Sequence, residues 1–163
     1  MRASLLLPLL LLLPACYAGT MPLQTQHAEL PFSQFDLVKL KLGDKLIEVQ
    51  LADSAERRSQ GLMGQTPLHH GMLLLQDEVK TVVLWMKNTP EALDVAFISA
   101  DWTILSIKQM QAYSETRHSS DAPVVAALEM PVGWFAKQNI QVGSKVLYCQ
   151  TQANSCQGQA QPF

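Results

Sequence analysis

Short runs in which apolar residues recur at every second position constrain the fold of this chain more than any other feature. Residues 38–42 (VKLKL) and 47–51 (IEVQL) both have this pattern, and Gly43 and Asp44 lie between them. Because successive side chains of a strand point to opposite faces, each run predicts a strand with one buried face. The Gly43-Asp44 pair predicts a tight turn, so the two runs form a hairpin.

The remaining apolar runs predict a mainly β chain. Further strands are predicted over 72–75, 81–86, 93–98, 102–110, 124–128 and 145–149. The run 81–86 is almost continuously apolar, which is typical of a strand buried on both faces. About eight short strands at regular turn spacing favour an antiparallel or mixed β-sandwich or small barrel in a single domain.

Two short helices complete the predicted elements. Asp53 and Ser54 provide a cap for the first helix, and Gly61 ends it. Pro131 is predicted as the first residue of a second helix that ends near Asn139, a residue that tolerates the left-handed conformation.

Composition indicates a globular chain and excludes some partners. The 163 residues are 48% hydrophobic and 16% charged, which suits one domain with its own core. The net charge of −2 is far from the basic face expected of a nucleic-acid-binding protein. It also provides no polybasic attraction to anionic lipid.

The N-terminus predicts export. Arg2 precedes an apolar stretch over 5–13, which has the length of a signal-peptide core and is too short to cross a bilayer. The following LPAC sequence resembles a lipobox, although its Pro14 is unusual there. Residues 1–15 are therefore predicted to be a lipoprotein signal peptide, with Cys16 as the acylated first residue of the mature protein.

The alternative is ordinary cleavage after Ala18, which would give a secreted soluble protein. If Cys16 is acylated, Tyr17 in place of the usual retention Asp predicts sorting to the outer membrane, on its periplasmic side. The protein would then contact the membrane through its lipid anchor only. We expect a polar tether over 16–34, the β-rich domain over 35–150 and a polar tail over 151–163.

Two cysteines remain after the leader is removed. Cys149 follows the last predicted strand and Cys156 lies in the tail. In an oxidising compartment such a pair usually forms a disulfide, which here would close a short loop. A redox-active pair is the alternative, although such pairs more often have C-x-x-C spacing at a helix start.

Several sequence blocks identify a family. They are 55–64 (AERRSQGLMG), 71–73 (GML), 85–89 (WMKNT) with 93–94 (LD), and 127–129 (ALE) with 133–134 (GW). In order and spacing these blocks resemble the bacterial and archaeal family called domain of unknown function 192, over residues 47–147. The resemblance implies a compact β-rich domain that is often exported, and it implies no activity.

The chain departs from the family pattern at a few positions. Ala92 stands where the family usually has Pro, and Asn139 and Ser144 replace a Gly and an Asp near the end. The loop 113–122 lacks the cysteine pair of many members. This difference suggests that a bridge between Cys149 and Cys156 replaces the missing crosslink.

Polar residues beside apolar runs are the candidate site. The binding candidates are Arg58, Trp85, Lys87, Asn88, Asp94, Glu129 and Trp134. One interpretation is a buried network of ion pairs. The other is a ligand pocket between Trp85 and Trp134, in which Arg58 or Lys87 holds an anion. Asn88 can also be a simple turn former, with Lys87 as a solvated strand end that pairs with Asp94.

The functional hypothesis is a non-enzymatic accessory or binding protein. It would be a monomer without a cofactor that binds an unidentified envelope partner or a small ligand. The first alternative is a periplasmic hydrolase that uses Glu129, Asp94 and Lys87 on envelope material. The second alternative is a soft-metal site formed by residues of two types, His69 and His70 with Met63, Met72 and Met86.

Overall fold

A computed structural model describes residues 35–149 of the chain and the backbone of Cys156–Gln157. The predicted signal peptide, Cys16, the tether up to residue 34 and the rest of the tail lie outside these residues. Lipidation and cleavage of the leader therefore stay predictions.

The described residues form ten strands and two short helices. They are β1 (Asp36–Leu42), β2 (Lys45–Ala52), α1 (Ala55–Gln60), β3 (Met72–Lys80), β4 (Val83–Leu84), β5 (Leu93–Ile98), β6 (Ile104–Met110), β7 (His118–Ser119), β8 (Val124–Pro131), α2 (Trp134–Lys137), β9 (Val146–Cys149) and β10 (Cys156–Gln157). Eight strands form one sheet in the order β10-β9-β1-β2-β3-β8-β5-β6, while β4 pairs with β7.

The large sheet is mixed and curled. β2 and β3 run parallel, connected by α1 and the following loop, and the other neighbouring strands are antiparallel. A bridge between Thr103 and Lys145 brings the start of β6 to the start of β9. Ile104 N donates to Ser144 O at 3.0 Å beside this bridge. The predicted β-rich single domain is confirmed, and its sheet is a half-barrel.

The two faces of the curled sheet carry two separate cores. The inner core includes Leu40, Leu42, Val49, Leu51, Leu73, Leu75, Ala96, Ile98, Ile104, Ala126, Leu128, Met130 and Val146. The outer core includes Ala52, Met72, Leu74, Leu93, Val95, Phe97, Met110 and Ala127, covered by Leu62, Val82 and Met86 from the connecting segments. The strands β5 and β8 and the first four residues of β3 are therefore buried on both faces.

The first hairpin and the first helix confirm their predictions. β1 and β2 pair in register from Asp36 with Leu51 to Leu42 with Lys45. Ser54 caps α1 by accepting a hydrogen bond from Arg57 N at 3.2 Å, and Gly61 ends the helix with a φ of 52°.

One predicted strand and the start of the second helix are wrong. The run 81–86 is not a strand buried on both faces, because its only strand is β4, and Val83 and Trp85 are 52% and 41% exposed. This short strand pairs with β7 alone and lies above the large sheet. Pro131 ends β8 and does not begin a helix, since α2 starts at Trp134 after Gly133 takes a φ of 80°.

Cys149 lies opposite Cys156 in the antiparallel register of β9 and β10. Neighbouring strands bring directly opposed residues close enough for a disulfide. The backbone therefore favours the predicted bridge, which stays a prediction because only the backbone of Cys156 is described. Within residues 35–149, no helix has the length and apolar character required to span a membrane.

A buried amide pair fixes the loop between α1 and β3 on the sheet. Gln50 is fully buried on the outer face of β2, and its Nε2 donates to Gln65 Oε1 at 2.8 Å. Gln65 Nε2 donates back to Gln50 Oε1 at 3.0 Å.

We expect Gln65→Ala to lower the free energy of unfolding by about 1–2 kcal/mol, because it removes the partner of the buried Gln50 Oε1 and leaves Gln50 Nε2 with only its longer bond to His70 O at 3.4 Å. Urea unfolding of the full chain measures the loss. Gln111→Ala, which removes an exposed amide, is the control and should change stability by less than about 0.5 kcal/mol. Equal stabilities of the two variants would contradict the assigned role of the amide pair.

Candidate functional site

Glu129 lies in the middle of the sheet, on the outer face of β8. Along this strand Leu128 and Met130 belong to the inner core, whereas Ala127 belongs to the outer core. The alternation places Glu129 on the same face as Ala127. Met72 of β3 and Val95 of β5 lie opposite Glu129 on either side, and both are apolar.

The carboxyl group of Glu129 is buried without a partner. The residue is 5% exposed, and among the described residues no side chain or backbone group gives its carboxyl a hydrogen bond or an ion pair. Removal from water disfavours the charged form and raises the pKa of Glu129 from 4.5 to about 7. Buried carboxyls are usually paired, so this arrangement is unusual.

Glu129 opens onto a cavity of about 440 Å³ between the sheet and the segments that cover it. Leu74 and Gln76 of β3 line it from the sheet. One wall comes from α1 and the residues that follow it, and the other comes from residues 80–85. The lining residues are Ala55, Arg58, Ser59, Gln60, Gly61, Leu62, Met63, Leu74, Gln76, Lys80, Thr81, Val82, Val83, Leu84, Trp85, Thr89 and Glu129.

Arg58 lines the cavity but is held by other groups. Its Nη1 donates to Asp53 O at 2.9 Å and to Leu75 O at 2.8 Å, and its Nη2 lies 3.4 Å from Asp77 Oδ1. These contacts fasten α1 to the end of β3. The guanidinium therefore shapes the wall and does not neutralise Glu129.

Trp85 lies at the edge of the cavity, and Lys87 lies beside Trp85. The ammonium of Lys87 lies 5.3 Å from the centre of the Trp85 ring, a cation–π contact. Trp85 lines the cavity, whereas Lys87 and Asn88 are exposed beyond it. Asn88 has a φ of 58°, and its carbonyl accepts a hydrogen bond from Gly64 N at 2.9 Å. This geometry agrees with the interpretation of Asn88 as a turn former.

Asp94 lies on the opposite face of the sheet from Glu129. It pairs with Met130 in register and alternates with Ala96, both inner-core residues. Asp94 Oδ2 accepts a hydrogen bond from Gly133 N at 2.7 Å, which fixes the turn before α2. Trp134 packs edge-on against Phe135 at a ring-centre distance of 5.2 Å and lies, partly buried, against the inner core.

This separation corrects the expectations that grouped the candidates together. Arg58, Lys87, Asp94 and Glu129 do not form a network of ion pairs, because the sheet lies between the two carboxyls. Glu129 and Asp94 cannot act on the same bond for the same reason. Trp85 and Trp134 do not form the two walls of one pocket. Lys87 makes no ion pair with Asp94 among the described residues.

Four residues of the predicted soft-metal site have defined surroundings in the structure. Met72 and Met86 are buried in the outer core, while Met63 lines the cavity. His70 Nδ1 lies 3.2 Å from Glu48 O. Within residues 35–149 no three His, Cys, Asp or Glu side chains are grouped so that they could hold a metal ion.

The structure adds residues that the sequence did not indicate. Thr89 is 5% exposed and lines the cavity, and its position in the family block 85–89 was a signal that could have found it. Gln76 and Lys80 also line the cavity, but they lie in a polar half of β3 that looks like any solvated strand end.

Comparison with known proteins identifies relatives of unassigned function. The model of domain of unknown function 192, described as an uncharacterized ACR, matches residues 38–148. No curated protein matches the chain significantly.

Two solved structures resemble the fold. One is a protein of Sinorhizobium meliloti 1021 named as a candidate transcription regulator, with 30% identity, a TM-score of 0.67 and coverage of 70% of this chain and 95% of its own. The other is a protein of unknown function from Novosphingobium aromaticivorans DSM 12444, with 28% identity, a TM-score of 0.66 and coverage of 73% and 90%.

Proposed function

Since the chain belongs to the uncharacterised family domain of unknown function 192, its role must be argued from its own residues, and we propose that it is an envelope protein that binds a small ligand in the cavity at Glu129. The observation that carries this proposal is the buried, unpartnered carboxyl of Glu129 at the cavity. A protein that only needed a stable sheet would place an apolar residue between Met72 and Val95.

The cavity has the size and lining of a small-molecule site. Its volume of about 440 Å³ lies within the range of about 300–1,000 Å³ that is usual for such sites. Apolar side chains such as Leu62, Leu74 and Val82 alternate around it with the polar groups of Gln76 and Thr89. A ligand would therefore gain apolar contact and a few directional hydrogen bonds.

Binding is favoured over hydrolysis by the set of groups that line the cavity. Glycoside hydrolysis commonly uses two carboxyls on either side of the scissile bond. Glu129 is the one carboxyl among the described lining residues, and Asp94 is behind the sheet. The S. meliloti protein is described as a candidate transcription regulator. A regulator that binds DNA is expected to have a basic face, and this chain's net charge of −2 does not indicate one.

The proposed location rests on the leader. Residues 1–15 direct export, Cys16 carries the lipid anchor, and the tether to residue 34 gives the domain reach within the periplasm at the outer membrane. Expression of Cys16→Ser in a bacterial host tests the anchor. The wild-type protein should sediment with membranes and the variant should be released by osmotic shock. A variant that still sediments with membranes would contradict lipid anchoring.

A blocked cavity tests ligand binding. Ser59 is an exposed residue of α1 that lines the cavity, so Ser59→Trp should fill the entrance without disturbing the core. Glu56→Trp, on the same helix but outside the lining, is the matched control.

A thermal-shift screen of the full chain against amines, sugars, organic acids and peptidoglycan fragments provides the measurement. A ligand at about 100 times its Kd should raise the Tm of the wild type and of Glu56→Trp, since it adds about 2.7 kcal/mol to stability. Ser59→Trp should lose this shift. A screen in which no compound shifts the Tm, or in which Ser59→Trp responds equally, would contradict a ligand site in this cavity.

A further inference from the structure

We infer that the cavity at Glu129 takes a cationic ligand, a primary ammonium carried on a short apolar stem, which pairs with the carboxylate of Glu129. This inference rests on the proposed function, and it specifies the chemical class of the ligand. Its basis is the balance of charges and of hydrogen-bond groups around the cavity.

Every cation that faces the cavity already has a partner. Lys80 Nζ lies 2.8 Å from Asp77 Oδ1 and 3.7 Å from Glu78 Oε1. Arg58 is occupied by Asp77 and by two backbone carbonyls. The carboxyl of Glu129 is therefore the charge that the protein leaves without a counterpart, and a ligand cation would supply one.

The neighbouring strands also bring no charge to Glu129 itself. Its partners across β3 and β5 are Met72 and Val95. Lys108, on β6 beyond Val95, forms an ion pair with Asp121 and donates to Ser119 O at 2.7 Å.

Three uncharged polar side chains of the cavity have a donor in use and an oxygen available as an acceptor. Gln60 Nε2 donates to Met63 O at 3.5 Å, and Gln76 Nε2 donates to Leu74 O at 3.4 Å. Thr89 Oγ1 donates to Lys87 O at 3.5 Å. Each bond uses one donor, so Thr89 has no hydroxyl donor left and each glutamine keeps one N–H, while the three side-chain oxygens stay available as acceptors. An ammonium offers three donors and no acceptor, so it complements this lining better than an anion does.

Apolar side chains provide the contact surface for the stem. Leu62, Leu74, Val82 and Leu84 line the cavity, and the half-exposed ring of Trp85 lies at its edge. A chain of a few methylene groups would bury its surface there, at a gain that grows with each methylene. Glu129 itself is 5% exposed, so the ion pair would form in a poorly solvated place.

Binding of a cation should be coupled to release of a proton. Burial gives Glu129 a pKa of about 7, and a bound ammonium favours the ionised form. The affinity for the cation should therefore rise about tenfold per pH unit below pH 7 and level off above it.

The experiment uses butylammonium, with butan-1-ol and butyrate as neutral and anionic probes of similar length. Carbon-13 NMR of the Glu129 carboxyl in the full chain follows its titration with each probe. Saturating butylammonium should lower the pKa of Glu129 by about one unit or more, which corresponds to at least a tenfold preference for the ionised form. Butan-1-ol should leave it unchanged, and sodium chloride at equal ionic strength corrects for screening.

Two variants locate the effect. Glu129→Gln should weaken butylammonium binding, measured by amide shifts of cavity residues, about tenfold or more. Asp94→Asn, which changes the carboxyl on the opposite face, should leave binding unchanged. A pKa of Glu129 that does not move with butylammonium would overturn the inference. So would tighter binding of butan-1-ol or butyrate, an outcome that keeps the proposed ligand site while rejecting its cationic ligand.

Discussion

Replacing Glu129 by glutamine is expected to stabilise the fold by about 3 kcal/mol at about pH 8. The substitution keeps the shape of the side chain and removes the charge that burial disfavours. The pKa of this carboxyl is raised from 4.5 to about 7 because the residue is 5% exposed and has no partner among the described residues. Above pH 7 the wild-type protein must hold an ionised carboxylate in that place.

The pH dependence has a defined direction and window. Between pH 4.5 and about 7 the folded protein keeps a proton that the unfolded chain has lost. The wild-type free energy of unfolding should therefore fall as the pH rises through this window, and the full penalty applies above it. Glu129→Gln should lack this decline, so the two proteins should have similar stability near pH 4.5.

Urea unfolding of the full chain at several pH values from about 4.5 to 8 measures the difference. Glu48→Gln is the control, because Glu48 is 49% exposed and its one ion pair within residues 35–149, with Lys39 at 3.9 Å, is on the surface. A Glu129→Gln curve that is parallel to the wild type would show that Glu129 is solvated or paired in solution. That result would also remove the main support for the proposed site.

A stabilising substitution at Glu129 would indicate that this residue is retained for binding and not for stability. Binding sites often retain a residue that lowers the stability of the fold, because that residue contacts the ligand. Glutamine at this position should therefore give a more stable protein that binds its ligand less well.

Gly71→Ala is expected to destabilise the fold by about 3 kcal/mol. Gly71 precedes β3, and its carbonyl accepts a hydrogen bond from Gln50 N at 2.9 Å. A Cβ at this position would overlap Met130 Sδ and the carbonyl oxygen of Glu129. The methionine can move, but the carbonyl belongs to the backbone of a central strand, so β3 and β8 would have to separate.

Gly43→Ala is the matched control for this substitution. It lies in the turn between β1 and β2 with a φ of 60°, and its Cβ would meet nothing within 4 Å. Only backbone strain of about 1 kcal/mol is expected there. Thermal unfolding of both variants compares the two costs. Equal losses would show that the strands do not approach as closely at Gly71 as the structure has them.

Local patterns were sufficient where neighbouring residues decide the structure. The alternation in 38–42 and 47–51 fixed the hairpin, and Ser54 with Gly61 fixed α1. The prediction for the run 81–86 was wrong, because an apolar sequence alone does not determine whether a segment joins a sheet or packs on top of it. Val83 and Trp85 cover it, and they remain half-exposed.

The candidate site was predicted only in part, because the face of the sheet on which each residue lies decides whether that residue belongs to the site. Arg58, Trp85 and Glu129 line one cavity. Asp94 and Trp134 appear equally suitable in the sequence but belong to the other side. The register of β5 against β8, which pairs Asp94 with Met130 and Val95 with Glu129, decides this separation.

The sequence by itself determined a β-rich, single-domain fold and its family, because strand periodicity, turn residues and block order are local properties of the chain. It also gave the signals that predict export. Only the tertiary structure decided which polar residues share a space. Burial, the loss of solvent around a carboxyl and the occupation of each cation by a partner depend on contacts between residues distant in the chain. Because of those contacts, Glu129 is the one charged residue of the described cavity lining that has no partner.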